Sequence, residues 1–301
     1  MDTIRGFVTL ATGNEYYYKL ASNMLKSYKL WNKEEKYPFA ILCDRENEFT
    51  KQFDDVIIIN PEYGNYASKF ELLLHSPYEE NIFIEPDCLI YHNLSSLWDY
   101  MSAEYDFTAF GWNGGETDIW FTEEVSEKLA INEIPIFNPG YLFIRPGEVC
   151  RKIYKDCFRI ATCLLENKEG LKKKKTLPIS FVGDTLRDDP VLSVAMQWNE
   201  CRCIAKPGVG KLLSFPSEKL ICAHISTGEL KTESCDQGKL LHFSTKRTRQ
   251  GLYMQQLTVM KLCLNNAPKW EINIMESNVV LKILEIFCKV RNYVKSISKS
   301  N

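Results

Sequence analysis

The feature that most restricts the fold is a set of short apolar runs in the first third of the chain: Phe7–Leu10, Phe39–Cys43, Val56–Ile59 and Ile82–Ile84. They are continuous rather than alternating. A strand of that kind is buried on both faces, as in a parallel sheet covered by helices on each side. Between the runs lie segments with helical spacing. From Tyr16 to Leu30 apolar residues recur at intervals of three and four (Tyr17, Leu20, Met24, Leu25, Tyr28), and Lys69–Leu74 reads as a helix that stops at Pro77. Ala11-Thr12-Gly13-Asn14 supplies a turn after the first run. The order strand, helix, strand, strand, helix, strand predicts an α/β layer with crossover helices, a sheet of the nucleotide-binding type.

The second half is less regular. Asp106–Trp112 and Tyr141–Ile144 are strand candidates, with Asn138-Pro139-Gly140 just before the latter, and Glu148–Glu166 reads as one long helix. The run Lys172–Lys175 is read as a solvated loop. Asp188 and Asp189 stand at the start of a helix continuing through Pro190–Gln197, where carboxylates favour the helix dipole. Residues 205–240 are rich in Gly, Ser, Lys and Thr and read as loop with short strands. From Val279 to Ile297 the residues Val280, Ile283, Leu284, Phe287, Val290, Val294 and Ile297 share a helical face, accompanied by Lys282, Lys289, Arg291, Lys295 and Lys299. Two readings stay open for this tail: cladding of the protein's own core, and contact with an anionic membrane surface.

Composition narrows the class of function. The 301 residues carry 37 Lys plus Arg against 39 Asp plus Glu, a formal charge of -2, which argues against a nucleic-acid partner. No apolar run reaches the ~18–20 residues that cross a bilayer. The opening Met-Asp-Thr-Ile-Arg shows no basic segment followed by an apolar one, so no signal peptide is expected. Eleven irregularly spaced cysteines suit a reducing compartment better than a disulfide framework. The expectation is a soluble intracellular enzyme. Neither GxGxxG nor GxxxxGK[ST] is present, which disfavours dinucleotide oxidoreductases and P-loop kinases. His75 and His92 have no partner at ligand spacing, and Cys201-x-Cys203 lacks the second pair of a zinc site.

Glu85 and Asp87 are the most informative residues. Side chains at i and i+2 of an extended segment point the same way, so two carboxylates converge just beyond the run Ile82–Ile84. Ligands of open α/β sheets bind at the carboxyl ends of the strands. Two hard oxygen donors there can hold Mg²⁺ or Mn²⁺ with positions left for phosphate oxygens. Pro86, between them, removes a ladder donor and ends the strand.

Several blocks, taken in order, resemble one family. These are Phe7–Thr12 with Tyr16; Lys69, a helix upstream of the acidic pair; Ile82–Ile90, reading IFIEPDCLI; Phe137-Asn138-Pro139-Gly140 with Leu142–Ile144; Asp188-Asp189-Pro190 with Leu192-Ser193; and Leu241-His242-Phe243. Together they are similar to glycosyltransferases of the GT-A fold, most closely to family 8, the glycogenin and bacterial lipopolysaccharide galactosyltransferase group. The resemblance spans residues 7–243. It implies a mixed, mostly parallel central sheet flanked by helices over residues 1–255, and a helical C-terminal extension over 256–301. It also implies a retaining transfer of a hexose from a UDP-sugar to a carbohydrate or lipid-linked acceptor, in the synthesis of a surface glycan. Glu85, Asp87 and His242 would ligate the metal, Mn²⁺ or Mg²⁺. Thr9, Leu10, Ala11, Thr12 and Tyr16 would meet the uridine, Lys69 and Lys246 the diphosphate, and Pro86 and Gly140 would line the donor. Asp188, Asp189 and Asn138 would orient sugar hydroxyls during front-face attack. The implied location is the cytoplasm, peripheral at the inner membrane face through residues 279–299.

Two departures stand out. Glu85 occupies a position where the family has Asp, which carries its oxygens one methylene further out. Ser244–Arg249 replaces the family's Gly-x-x-Lys-Pro-Trp after the His-Phe pair. A nucleotidyltransferase is the enzymatic alternative, but Ala11–Tyr18 lacks the Gly-rich basic signature it requires. The other alternative is a non-catalytic relative that binds a sugar nucleotide or glycan without turnover.

Overall fold

The computed structural model describes residues 3–33, 37–60, 67–100, 104–173, 180–204, 213–214, 220–233, 236–243 and 250–297. In chain order the strands are β1 (Arg5–Ala11), β2 (Phe39–Cys43), β3 (Asp55–Ile58), β4 (Glu80–Ile84), β5 (Cys88–Ile90), β6 (Phe107–Glu116), β7 (Glu133–Ile144), β8 (Phe181–Val182), β9 (Thr185–Leu186), β10 (Leu213–Ser214), β11 (Leu220–His224), β12 (Glu229–Thr232) and β13 (Leu240–His242). The helices are α1 (Glu15–Trp31), α2 (Leu72–His75), α3 (Glu123–Lys128), α4 (Glu148–Glu166), α5 (Lys168–Lys172), α6 (Asp188–Trp198), α7 (Gly251–Leu264), α8 (Lys269–Met275) and α9 (Asn278–Ile297). Two compact units result. The larger comprises residues 1–18, 37–85 and 97–209, and the smaller 19–36, 86–96 and 210–301.

The larger unit is built on a six-stranded sheet in the order β3-β2-β1-β4-β7-β6. β1 lies parallel to β2 and β4, pairing Phe7 with Phe39 on one side and Ile82 on the other. β7 runs antiparallel to β4 and β6, so the sheet is mixed. Three of the continuous apolar runs behave as expected, with every residue of β2 and β4 buried and β1 buried after Arg5. The run Val56–Ile59 does not, because β3 is the edge strand of the sheet and Ile58 is 53% exposed. α4 contributes Cys150, Ile153, Cys157, Ile160, Ala161 and Leu164 to the core, a stripe with the three-and-four spacing of one helical face. α6 is buried from Asp188 to Met196 and packs against α4 and β7.

β7 departs from the sequence reading. It begins at Glu133, so Asn138-Pro139-Gly140 lies inside a twelve-residue strand instead of preceding it. Pro135 and Pro139 suggest a loop because proline cannot donate to a ladder. Here β4 pairs only with Tyr141–Ile144, and the pairing with β6 jumps from Leu142 to Phe137 and shifts again between Trp112 and Gly115, so both prolines fall where the ladder is irregular. Proline is tolerated at such breaks in the ladder. Across the β6–β7 pair, a Cβ on Gly111 would lie 2.1 Å from the Ile136 carbonyl oxygen, so only glycine permits that approach.

The smaller unit holds the three-stranded sheet β10-β13-β5, the antiparallel hairpin β11–β12, most of α1 and the helices α7–α9. Buried side chains serve the backbone: Ser27 accepts from Ile90 N at 3.0 Å, and Asn32 from Leu94 N at 2.9 Å. α9 packs on α7 at Gly251, where a Cβ would lie 2.6 Å from Glu285 N. The packed side of α9 is formed by Val280, Leu281, Leu284 and Cys288, whereas Val279, Ile283, Ile286, Phe287, Val290, Tyr293 and Val294 are exposed. No described helix is long and apolar enough to cross a membrane.

Candidate active site

In the larger unit, β1 leads into a turn made possible by Gly13 at φ +73°. Asp44, the first residue after β2, accepts from Gly13 N at 3.1 Å and from the Tyr18 hydroxyl. Arg45 donates to the Gly13 carbonyl at 2.6 Å. Asn14 starts α1 by accepting from Tyr16 N at 2.8 Å. Of the residues assigned to uridine, Leu10 and Ala11 are core, and Thr9 is buried with its hydroxyl on the Ile84 carbonyl at 2.8 Å. Thr12 reaches Ser68 across 3.3 Å, and Tyr16 is half-buried with its ring edge-on to Tyr17. Tyr18 is buried against Asp44, so Tyr16 and Tyr17 are the tyrosines of this trio that keep exposed ring surface.

Glu85 directly follows β4, and its amide donates to the Gly140 carbonyl at 3.0 Å. Its side chain is held by Lys69, whose Nζ lies 2.6 Å from Oε1. The same ammonium pairs with Asp188 and approaches the Pro139 carbonyl at 3.4 Å. Lys69 and Asp188 are each 7% exposed at the side chain. Burial alone disfavours the charged lysine, but the carboxylates of Asp188 and Glu85 outweigh it and hold the ammonium above the ordinary lysine range. Lys69 thus sits between two carboxylates rather than at an open surface.

Beside this group Arg187 forms a fork on Asp189, one arm at 2.8 Å. Asp188 and Asp189 occupy the first turn of α6. Burial, then the charge of Asp188, pushes the Asp189 carboxyl up to about 7 against the opposing pull of Arg187 and Lys69. Asp189 therefore changes charge near neutrality. Asn138 has an exposed side chain whose carbonyl accepts from Gly140 N at 2.9 Å, which fixes the local turn of β7.

In the smaller unit Asp87 and His242 are buried, with Nε2 3.1 Å from an Asp87 oxygen. Strand pairing accounts for the contact: His242 lies opposite Cys88, and Phe243 N donates to the Asp87 carbonyl at 3.1 Å. Glu85, the third residue read as a ligand, closes the segment of the larger unit that contains β4. Lys246 lies outside the described residues. Arg187, Asp44 and Arg45 are the charged groups that sequence reading passed over. Their signal was position, since Asp44 and Arg45 immediately follow the Phe39–Cys43 run and Arg187 immediately precedes the acidic pair.

No sequence-family model and no curated protein sequence matches the chain. Solved structures do. The chain is similar to the apo structure of the bifunctional glycosyltransferase WbbM, with a TM-score of 0.53 at 12% identity over 92% of this chain and 52% of that one. It therefore spans about half of that protein's length. It is also similar to the galactosyltransferase LgtC in complex with donor and acceptor sugar analogues, with a TM-score of 0.49 at 14% identity over 79% of this chain and 87% of that one. An active-site mutant of LgtC gives 0.48 at the same identity and coverage. The fold is the α/β fold of GT-A glycosyltransferases, with a six-stranded mixed sheet flanked by helices.

Proposed function

We propose that this chain is a metal-dependent, retaining glycosyltransferase that moves a hexose from a UDP-sugar to a carbohydrate or lipid-linked acceptor. The observation that carries the reading is the buried charged group at the carboxyl end of β4, where Glu85 and Asp188 flank Lys69 beside the Arg187–Asp189 pair. This is the end at which sheets of this type take their ligands. The likeness to WbbM supports the reading through the fold.

Two carboxylates and an imidazole from Glu85, Asp87 and His242 suit Mn²⁺ or Mg²⁺, both of which accept hard oxygen donors. When bound there, such an ion supplies positive charge for the diphosphate leaving group. The protein's own groups do the rest. Asp188 and Asp189 accept hydroxyls of the donor sugar and stabilise positive charge as it develops on the ring. Asn138 donates to a sugar hydroxyl. Thr12 and Tyr16 meet the uridine at the end of β1, with Thr9, Leu10 and Ala11 as the strand beneath. Pro86 and Gly140 line the donor, and Lys246 reaches the diphosphate. Lys69 is a positioning residue that sets the separation of Glu85 and Asp188. Front-face attack needs no protein nucleophile, in keeping with a site made of carboxylates and cations.

A second reading is favoured by one observation. Lys69 already neutralises Glu85, a carboxylate that the metal requires. A non-catalytic relative that binds a sugar nucleotide or glycan would show the same pair. Incubation with Mn²⁺ and UDP-glucose or UDP-galactose separates the two. Slow release of UDP, abolished by Asp188→Asn, supports transfer chemistry; saturable binding with no release supports the second reading.

The exposed apolar face of α9 carries the exposed lysines Lys282 and Lys289. Apolar area with basic charge at its border is what a helix lying on an anionic bilayer presents. A peripheral enzyme of the cytoplasmic leaflet, acting on a glycolipid acceptor in surface-glycan synthesis, fits that face.

A further inference from the structure

The smaller unit contains a second donor group that the proposed transferase chemistry does not use. Cys222 and His224 stand two residues apart on β11, so their side chains leave the same face of the hairpin, and Glu229 on β12 lies directly opposite His224. The alternate residues Ala223 and Leu230 point the other way and are buried, as is Ile225 just beyond β11. The register irregularity of the hairpin lies before Cys222, so Cys222–His224 pair regularly with Glu229–Lys231. One ligand atom from each of Cys222, His224 and Glu229 lies within 4.8 Å of the others. The Cys222 thiol hydrogen-bonds the Glu229 carboxylate, which also pairs with Lys231 at 2.9 Å.

The neighbour of the histidine gives the group its direction. Glu276, directly after α8, has a side chain only 7% exposed and lies 3.6 Å from His224 Nδ1. It is fixed by Ser226, whose amide donates at 3.2 Å and whose hydroxyl also donates to it. A carboxylate behind one imidazole nitrogen leaves the other to face a metal, the arrangement that orients metal-bound histidines. We propose that Cys222, His224 and Glu229 form a zinc(II) site, with Glu276 as the positioning carboxylate. One sulfur, one nitrogen and one oxygen donor match zinc's preferences and leave a fourth tetrahedral position for water. Binding replaces the thiol proton, which leaves to solvent, and draws Glu229 from Lys231 to the metal. The ion ties the hairpin to the end of α8. This proposal does not depend on the transferase reading, whose metal donors include no sulfur.

The test is cobalt(II) titration of the metal-stripped full chain, followed by thiolate-to-cobalt charge-transfer absorption. The expected result is a band that saturates at one equivalent and is displaced by one equivalent of zinc. Cys222→Ser, at a half-buried strand position, abolishes it, while Asp87→Asn leaves it intact. Glu276→Gln keeps the band and weakens zinc affinity by about 10–100-fold. Absence of the band in the wild type, or its persistence in Cys222→Ser, overturns the proposal.

Discussion

At the carboxyl end of β4 charged side chains are buried, each with an opposite charge beside it; along α9 apolar side chains stand in solvent, with Phe287 55% exposed. The first region spends hydration to hold carboxylates and cations where water is scarce. That arrangement strengthens each electrostatic contact with a ligand but carries a desolvation cost. The second leaves apolar side chains uncovered by the described residues, and there they contribute little to folding. One region is therefore complete in its internal partners and sensitive to any loss. The other is expected to tolerate substitution with little change in stability.

The largest expected effect breaks the first region. Lys69→Met leaves Glu85 and Asp188 without their shared cation and is expected to destabilise the protein by about 3–5 kcal/mol in urea unfolding. Lys69→Arg keeps the charge and is expected to recover most of that loss. A change below about 1 kcal/mol for Lys69→Met would mean that the two carboxylates are solvated independently.

A smaller effect comes from Asp189. Its folded pKa of about 7 lies above the ordinary aspartate value. Stability from this group is thus complete below the unfolded pKa of about 4 and is lost as pH rises through 7. Unfolding free energies at pH 5 and pH 8 should differ by a few kcal/mol more in the wild type than in Asp189→Asn. Equal pH dependence in the two proteins would show that the folded carboxyl is not raised. On the proposed role of Asp189 as a sugar-orienting carboxylate, kcat should rise with pH across the same interval.

The smallest stability effect belongs to α9. Phe287→Glu and Val290→Glu are expected to change unfolding free energy by no more than about 0.5 kcal/mol, as surface substitutions do. They should nevertheless abolish co-sedimentation with vesicles containing phosphatidylglycerol. If both variants destabilise the protein strongly, the face is covered by the protein itself and the contrast with the β4 end disappears.

The legible parts of the molecule are those in which one pattern has one solution. Phe39–Cys43 and Ile82–Ile84 could be read as central strands because continuous burial on two faces leaves few alternatives. β7 reads shorter from its sequence because the prolines at 135 and 139 suit a strand only where the ladder is interrupted, which is a property of the sheet rather than the segment. For α9 the apolar residues lie around much of the helix, so periodicity named Val280 and Leu284 correctly but could not choose between the packed line through Leu281 and Cys288 and the exposed line through Ile283 and Phe287. At the site, spacing singled out Glu85, Asp87 and the pair Asp188-Asp189. The bridge through Lys69 joins residues far apart in sequence, and the fork from Arg187 depends on the first turn of α6; only the fold makes either evident.

The central claim is that Glu85, Asp87 and His242 hold a divalent ion that a UDP-sugar needs in order to bind. Calorimetric titration of UDP into the protein, with Mn²⁺ and again with EDTA, in wild type and Asp87→Ala, tests it most directly. The account predicts binding that requires both the metal and Asp87. UDP binding of equal strength in EDTA, or in Asp87→Ala with Mn²⁺, would contradict the metal site, and no UDP binding in any condition would contradict the sugar-nucleotide reading itself.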